Sequence, residues 1–138
     1  FKHEAYDMTI ANIAIVDQAR GGTGCAIVHS DSASGIQRLN QEAAKALAAG
    51  REAGFDISEE RAMTWITKNP AKSLGILEQT GTLEQGKDAD IVVWSGNPFS
   101  VYTKAEKVYI DGALAFDKAT NFMPHTDFDL GIKEWEDK

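Results

Sequence analysis

The chain has 138 residues, 43% hydrophobic and 25% charged, a balance that excludes wholesale disorder and fits one modest globular unit. With 14 basic against 21 acidic side chains the formal net charge is −7, which argues against nucleic acid or an anionic membrane surface as partner, because both are polyanions. A single cysteine, Cys25, excludes an internal disulfide framework, and no apolar run approaches the about 18 residues that a membrane span needs.

The chain opens Phe1-Lys2-His3-Glu4, with neither an initiator methionine nor a signal pattern, and reads as the middle of a longer polypeptide. Residues Asp7 to Arg20 have helical spacing, with Asp7 suited to the N-cap and Met8, Ile10, Ile13, Ala14, Ile15 and Val16 forming a broad apolar face. Gly21-Gly22-Thr23-Gly24 then turns the chain. The unbroken apolar run Cys25-Ala26-Ile27-Val28 predicts a buried parallel strand, and it ends in the polar loop His29-Ser30-Asp31-Ser32-Ala33-Ser34-Gly35. A second helix follows from Ile36 to Ala49, with Ile36, Leu39, Ala43 and Leu47 on one stripe and Gly50 as its stop. Helix, strand, polar loop and helix in that order indicate a βα-repeat architecture with a parallel sheet.

Ser58 caps a third helix with Glu59 and Glu60 in its first turn. Pro70 disfavours α geometry in the residue before it, so this helix is predicted to end at Asn69, which then caps a short helix from Pro70 to Leu74. Beyond Gly75 the period becomes that of strands. Ala89 to Trp94 reads as a strand, and Lys107–Ile110 and Ala113–Phe116 flank Asp111-Gly112, a strong hairpin signal. The tail from Asn121 to Lys138 is acidic.

The loop after the apolar tetrad carries the chemistry. Functional groups gather at the carboxyl ends of parallel strands, and alternation along a strand points His29 and Asp31 the same way. An imidazole and a carboxylate so placed can bind a metal or move protons for a water. The alternative is an Asp that caps the next helix and a His satisfied in the core. Other candidates are weaker. The glycine turn runs from helix to strand, the reverse of a phosphate loop. His3 and His125 are isolated surface residues, Cys25 reads as a small core hydrophobe, and the acidic tail lacks the spacing of a calcium loop.

Three stretches carry a resemblance. His29-Ser30-Asp31-Ser32 with the helix after it resembles the end of the eighth barrel strand of metal-dependent amidohydrolases, and Thr67 to Gly75 is similar to the Asn-Pro-Ala helix that follows their barrel. Gly81 to Trp94, with its Gly-Lys-Asp-Ala-Asp motif, resembles the return into their small β-sandwich, and Val108-Tyr109-Ile110-Asp111-Gly112 its final hairpin. The imidazolonepropionase-like branch is the nearest in kind. The resemblance implies an α/β fold consisting of the last β/α units of a TIM-type (β/α)8 barrel (residues 1–77), strands of a composite β-sandwich (78–120) and an acidic tail (121–138). It also implies a small-molecule amide-type substrate and a divalent metal, usually zinc, at the strand ends.

By that resemblance Asp31 contacts the metal and relays the proton of the attacking water, while His29 and Ser32 line the substrate pocket. The family's other ligands, a His-x-His pair, a carboxylated Lys or Glu and further His residues, have no counterpart in this sequence. The isolated polypeptide is therefore expected to hold no catalytic metal and to be inactive, since zinc requires three or four protein ligands. An incomplete barrel and sandwich would expose strand edges, so a homo-oligomer is expected. The competing reading is a non-catalytic oligomerisation or binding module derived from the same fold.

Overall fold

The computed structural model describes residues 7–120; the acidic tail, His3 and His125 lie outside them. Helix α1 spans Asn12–Gly22, beginning later than the sequence suggests. Thr9 rather than Asp7 organises its entry: Thr9 Oγ1 accepts the Ala11 amide at 3.2 Å, and the Thr9 carbonyl accepts the Asn12 amide at 3.1 Å. Helical geometry ends at Ala19 (ψ 145°), and Arg20, Gly21 and Gly22 take positive φ, which makes the glycine segment the expected turn. Gly24 is fixed by contact, because a Cβ there would collide with the Val16 carbonyl.

A 3₁₀ turn, Ile36–Arg38, leads into helix α2, Leu39–Glu52. Ala43 and Leu47 are buried as the stripe requires, whereas Ile36 is exposed. Gly50 is not the stop. It lies inside α2, where a Cβ would strike that of Ala14, so its missing side chain lets α1 and α2 approach closely. The chain leaves α2 near Gly54, whose φ is +91°.

Helix α3, Glu59–Met63, starts as predicted, with Ser58 Oγ accepting the Arg61 amide at 3.1 Å. The Glu60 carboxyl is held below its ordinary range by its own backbone amide and then by the Ser58 hydroxyl. A carboxyl depressed on folding stabilises the fold above its unfolded pKa, and that contribution is lost as pH falls through the folded value. A 3₁₀ turn, Thr64–Ile66, follows, and the break comes at Thr67 (φ −129°, ψ −87°), before Asn69. Asn69 and Pro70 thus sit inside helix α4, Lys68–Ser73, where Pro in the first turn costs no hydrogen bond. Asn69 is not a cap; its side chain is spent elsewhere.

The tetrad Cys25–Val28 is neither helical nor part of a ladder. Ala26 and Val28 are buried and Cys25 is exposed, which corrects both the fully buried strand and the core role of Cys25. The physical reason is pairing: among the described residues its edge meets only the corner between α3 and α4. The Val28 amide donates to the Trp65 carbonyl (3.1 Å), and Asn69 Nδ2 donates to the Ala26 carbonyl (2.8 Å).

Around these elements lies one apolar core of Ala14, Ala26, Val28, Ala43, Leu47, Ile57, Ala62 and Trp65. Within it Asp17 is wholly buried. Its carboxylate accepts Arg61 Nε (2.8 and 3.0 Å) and the Trp65 indole N–H (2.9 Å), and Arg61 also donates to the Gly22 and Gly24 carbonyls (2.9 and 3.1 Å). No buried side-chain polar atom among the described residues is left without a partner.

Three antiparallel strands follow in the order β1 (Ile91–Trp94), β2 (Ala105–Ile110) and β3 (Ala113–Asp117). Asp111 (φ 54°) and Gly112 (φ 78°) form the predicted hairpin turn, whose two left-handed positions match strand twist. The Gly-Lys-Asp-Ala-Asp motif proves to be architectural. Lys87 Nζ donates to the Leu77 carbonyl and Thr82 Oγ1 (both 2.6 Å), the Asp88 amide to the Gln79 carbonyl (2.8 Å), and Asp90 Oδ1 accepts the Asp111 amide (3.0 Å). The loop after β1 returns to the helices: Asn40 Nδ2 donates to the Pro98 carbonyl (2.6 Å), Asn97 Nδ2 to Glu59 Oε2 (2.8 Å), and Phe99 packs on the core.

Replacing Asp17 by Ala should lower unfolding free energy by about 1–3 kcal/mol, since it leaves the buried Trp65 indole N–H without its acceptor while Arg61 keeps the Gly22 and Gly24 carbonyls. Urea denaturation followed by tryptophan fluorescence measures this; a loss within about 0.5 kcal/mol, typical of surface changes, would contradict it.

Candidate functional site

The site is built by the end of the tetrad. Ala26 and Val28 face the core, so the residues after them emerge at the surface between the entries of α1 and α2. His29 Nε2 and Asp31 Oδ1 lie 3.5 Å apart, with Asp31 in a bend of the chain. Their side chains are 74% and 98% exposed. That exposure disposes of a core role for His29.

Asp31 caps no helix, and Ser32 closes the turn before the 3₁₀ segment, which has no side-chain cap. Ser32 Oγ accepts the Gly35 amide (3.1 Å) and pairs with Ser34 Oγ (3.0 Å), while the Ser32 carbonyl accepts the Ile36 amide (3.0 Å). Gly35 sits close under the loop, where a Cβ would come within 2.8 Å of Ser30 Oγ and displace that hydroxyl. Ser32 therefore spends its hydroxyl on the loop, whereas among the described residues Asp31 has His29 as its neighbour and no backbone donor. A carboxylate left unspent is free to accept a proton or a cation.

A cavity of about 360 Å³ opens beside the pair, lined by Ile10, Ile13, Val28, His29, Glu42, Lys45 and Ala46. Of the residues that the sequence singles out, His29 borders it; Asp31 and Ser32 do not. The mouth is charged through Lys45 and Glu42, which pair at 2.6 Å on α2, and the floor is apolar. Asp17, Arg61, Trp65 and Asn69 are the residues that sequence reasoning missed. Asp17 follows Ile13 and Ala14 at helical spacing and so falls on their inward stripe, but nothing near it in the sequence names Arg61 and Trp65 as its partners.

His29 and Asp31 give a metal two donors. Among the described residues no three His, Cys, Asp or Glu side chains converge, so these residues by themselves do not fit a zinc ion. No helix among them is long and apolar enough to cross a membrane.

Comparison with known proteins gives the family. The amidohydrolase family profile matches residues 13–123. The chain is 39% identical over 69 residues to an imidazolonepropionase from Thermoplasma volcanium, and 44% identical over 55 residues to one from Brucella suis. It is 36% identical over 63 residues to amidohydrolase tasK from Hapsidospora irregularis. These matches cover 46%, 40% and 46% of this chain but 17%, 12% and 6% of the respective relatives. The crystal structure of an amidohydrolase from Thermotoga maritima superposes with a TM-score of 0.70 at 36% identity, over 84% of this chain and 28% of that one. The chain belongs to the amidohydrolase family. It spans less than a fifth of the length of these curated relatives and under a third of the solved structure.

Titration of the polypeptide Phe1–Lys138 with zinc, followed by calorimetry, is expected to show only weak, non-stoichiometric heats. A sub-micromolar site with one zinc per chain would overturn the two-donor assignment.

Proposed function

We propose that this chain is the carboxyl-terminal part of a metal-dependent hydrolase that cleaves C–N bonds in small amides, cyclic amides or imines. Residues 1–77 form the end of its (β/α)8 barrel and residues 78–120 contribute strands to its β-sandwich. The observation that carries the reading is the Asp31 carboxylate, unspent on any cap and standing with His29 where the extended segment ends. The imidazolonepropionases among its relatives, whose name denotes a cyclic amide, favour that substrate class.

In this reading Asp31 accepts a proton from the attacking water and delivers it to the departing nitrogen. Positioned carboxylates contribute about 10²–10⁴-fold to such steps. His29, beside both Asp31 and the cavity, orients the substrate, while Ser32 holds the loop that carries them through its bonds to Gly35 and Ser34. Asp31 would be one contact of a divalent metal, zinc in this proposal, whose remaining ligands would come from outside these residues and which would supply Lewis-acid activation. The polypeptide alone is inactive.

The isosteric substitution Asp31→Asn, made in the enzyme that carries this chain, should lower kcat by about 10²–10⁴-fold against a panel of cyclic amides and imines, with an unchanged thermal midpoint. Retention of activity would remove Asp31 from the mechanism.

A second reading, a non-catalytic oligomerisation module, is favoured by a different observation. Val92, Val93, Ile110 and Leu114 are exposed on the three-stranded sheet, whose outer strands β1 and β3 carry almost no charge to discourage pairing. Under either reading the isolated chain self-associates, and light scattering should show mass rising with concentration. A clean monomer across the micromolar range would defeat this. A His-x-His strand encoded upstream in the same reading frame would decide for the enzyme.

A further inference from the structure

Among the described residues, no strand ladder on the edge presented by Ala26 and Val28 aims the segment that carries Asp31. Two bonds on one edge do so, because the carbonyl of Ala26 and the amide of Val28 project to the same side of an extended chain. The Val28 amide is held by the Trp65 carbonyl (3.1 Å), and the Ala26 carbonyl by the buried Asn69 amide (2.8 Å). One bond leaves a pivot, whereas two fix a direction. From Val28 to Asp31 the chain reaches at most about 10 Å, so a tilt of about 6° at Val28 moves the carboxylate by about 1 Å. A displacement of that size can lower a rate by about a hundredfold when reacting groups must be aligned.

We infer that Asn69 is a positioning residue for Asp31, acting through the Ala26 carbonyl; this rests on the proton-shuttle role proposed above. The residue is well suited to the task. Its own helix α4 is joined through the 3₁₀ turn to Trp65, whose indole is bonded to buried Asp17, so the amide is mounted on the most constrained part of the core. Neither an Asp nor an aliphatic residue of similar size could donate to Ala26.

The test compares three variants in the enzyme that carries this chain. Asn69→Ala should lower kcat about tenfold or more with KM changed by less than about twofold, and should raise amide hydrogen exchange in peptides covering residues 25–31. Arg51→Ala removes side-chain bonds of the same kind, from the guanidinium to the Ile57 carbonyl, at the opposite end of α2. It should lower the thermal midpoint comparably while leaving kcat in place. Equal losses of kcat in the two variants, each tracking the thermal midpoint, would reduce Asn69 to a structural role and overturn the inference. So would unchanged exchange at residues 25–31 in Asn69→Ala. Asp31→Asn separates the two levels: if it keeps full activity, the proton-shuttle reading fails on its own, and the exchange data alone decide whether Asn69 fixes the segment.

Discussion

A carboxylate withdrawn from water must be paired and hydrogen-bonded, and Asp17 meets that demand by drawing three parts of the chain together. Arg61 comes from α3, Trp65 from the turn after it, and the Gly22 and Gly24 carbonyls, bound by the same guanidinium, from the turn that precedes the tetrad. The start and the edge of Cys25–Val28 are thereby referred to one buried charge. Whatever His29 and Asp31 do, their place in space is set from there.

That arrangement divides the polar residues into two groups. Asp17, Arg61, Asn40, Asn69, Lys87 and Asp90 are committed to bonds that hold backbone in place. His29 and Asp31 are exposed, paired loosely with each other and bound to no backbone amide among the described residues. The most family-specific stretch of the sequence, Gly86 to Asp90, falls in the first group. Its lysine and aspartates close the approach to β1 and cap the β2–β3 turn, which explains why such a motif reports a fold and carries no chemistry of its own.

Much of the architecture was legible because its causes are local. Ser58 followed by two glutamates makes a helix start, and Asp111-Gly112 makes a hairpin wherever apolar strands flank it. His29 and Asp31 stand close because they are two residues apart in the chain, with Asp31 in a bend. Errors arose where a residue had a distant partner. Gly50 reads as a stop from its neighbours, yet it is there because Ala14 crosses at that level. Asn69 before a proline reads as a cap, yet its amide reaches back 43 residues to Ala26. Cys25 reads as interior, yet lies on the outward side of a strand that is bonded along one edge.

The amino-acid order by itself determined the Ser58 helix start, the glycine turn and the hairpin, because each follows from spacing and backbone preference over a few residues, and its motifs carried the resemblance to the family. Only the tertiary structure decided that Asp17 would be buried with Arg61 and Trp65, that Asp31 would cap no helix, and that Asn69 would bond the Ala26 carbonyl. Those outcomes depend on which groups, far apart in the chain, must share one dry interior and satisfy each other's hydrogen bonds there, and no local pattern encodes that.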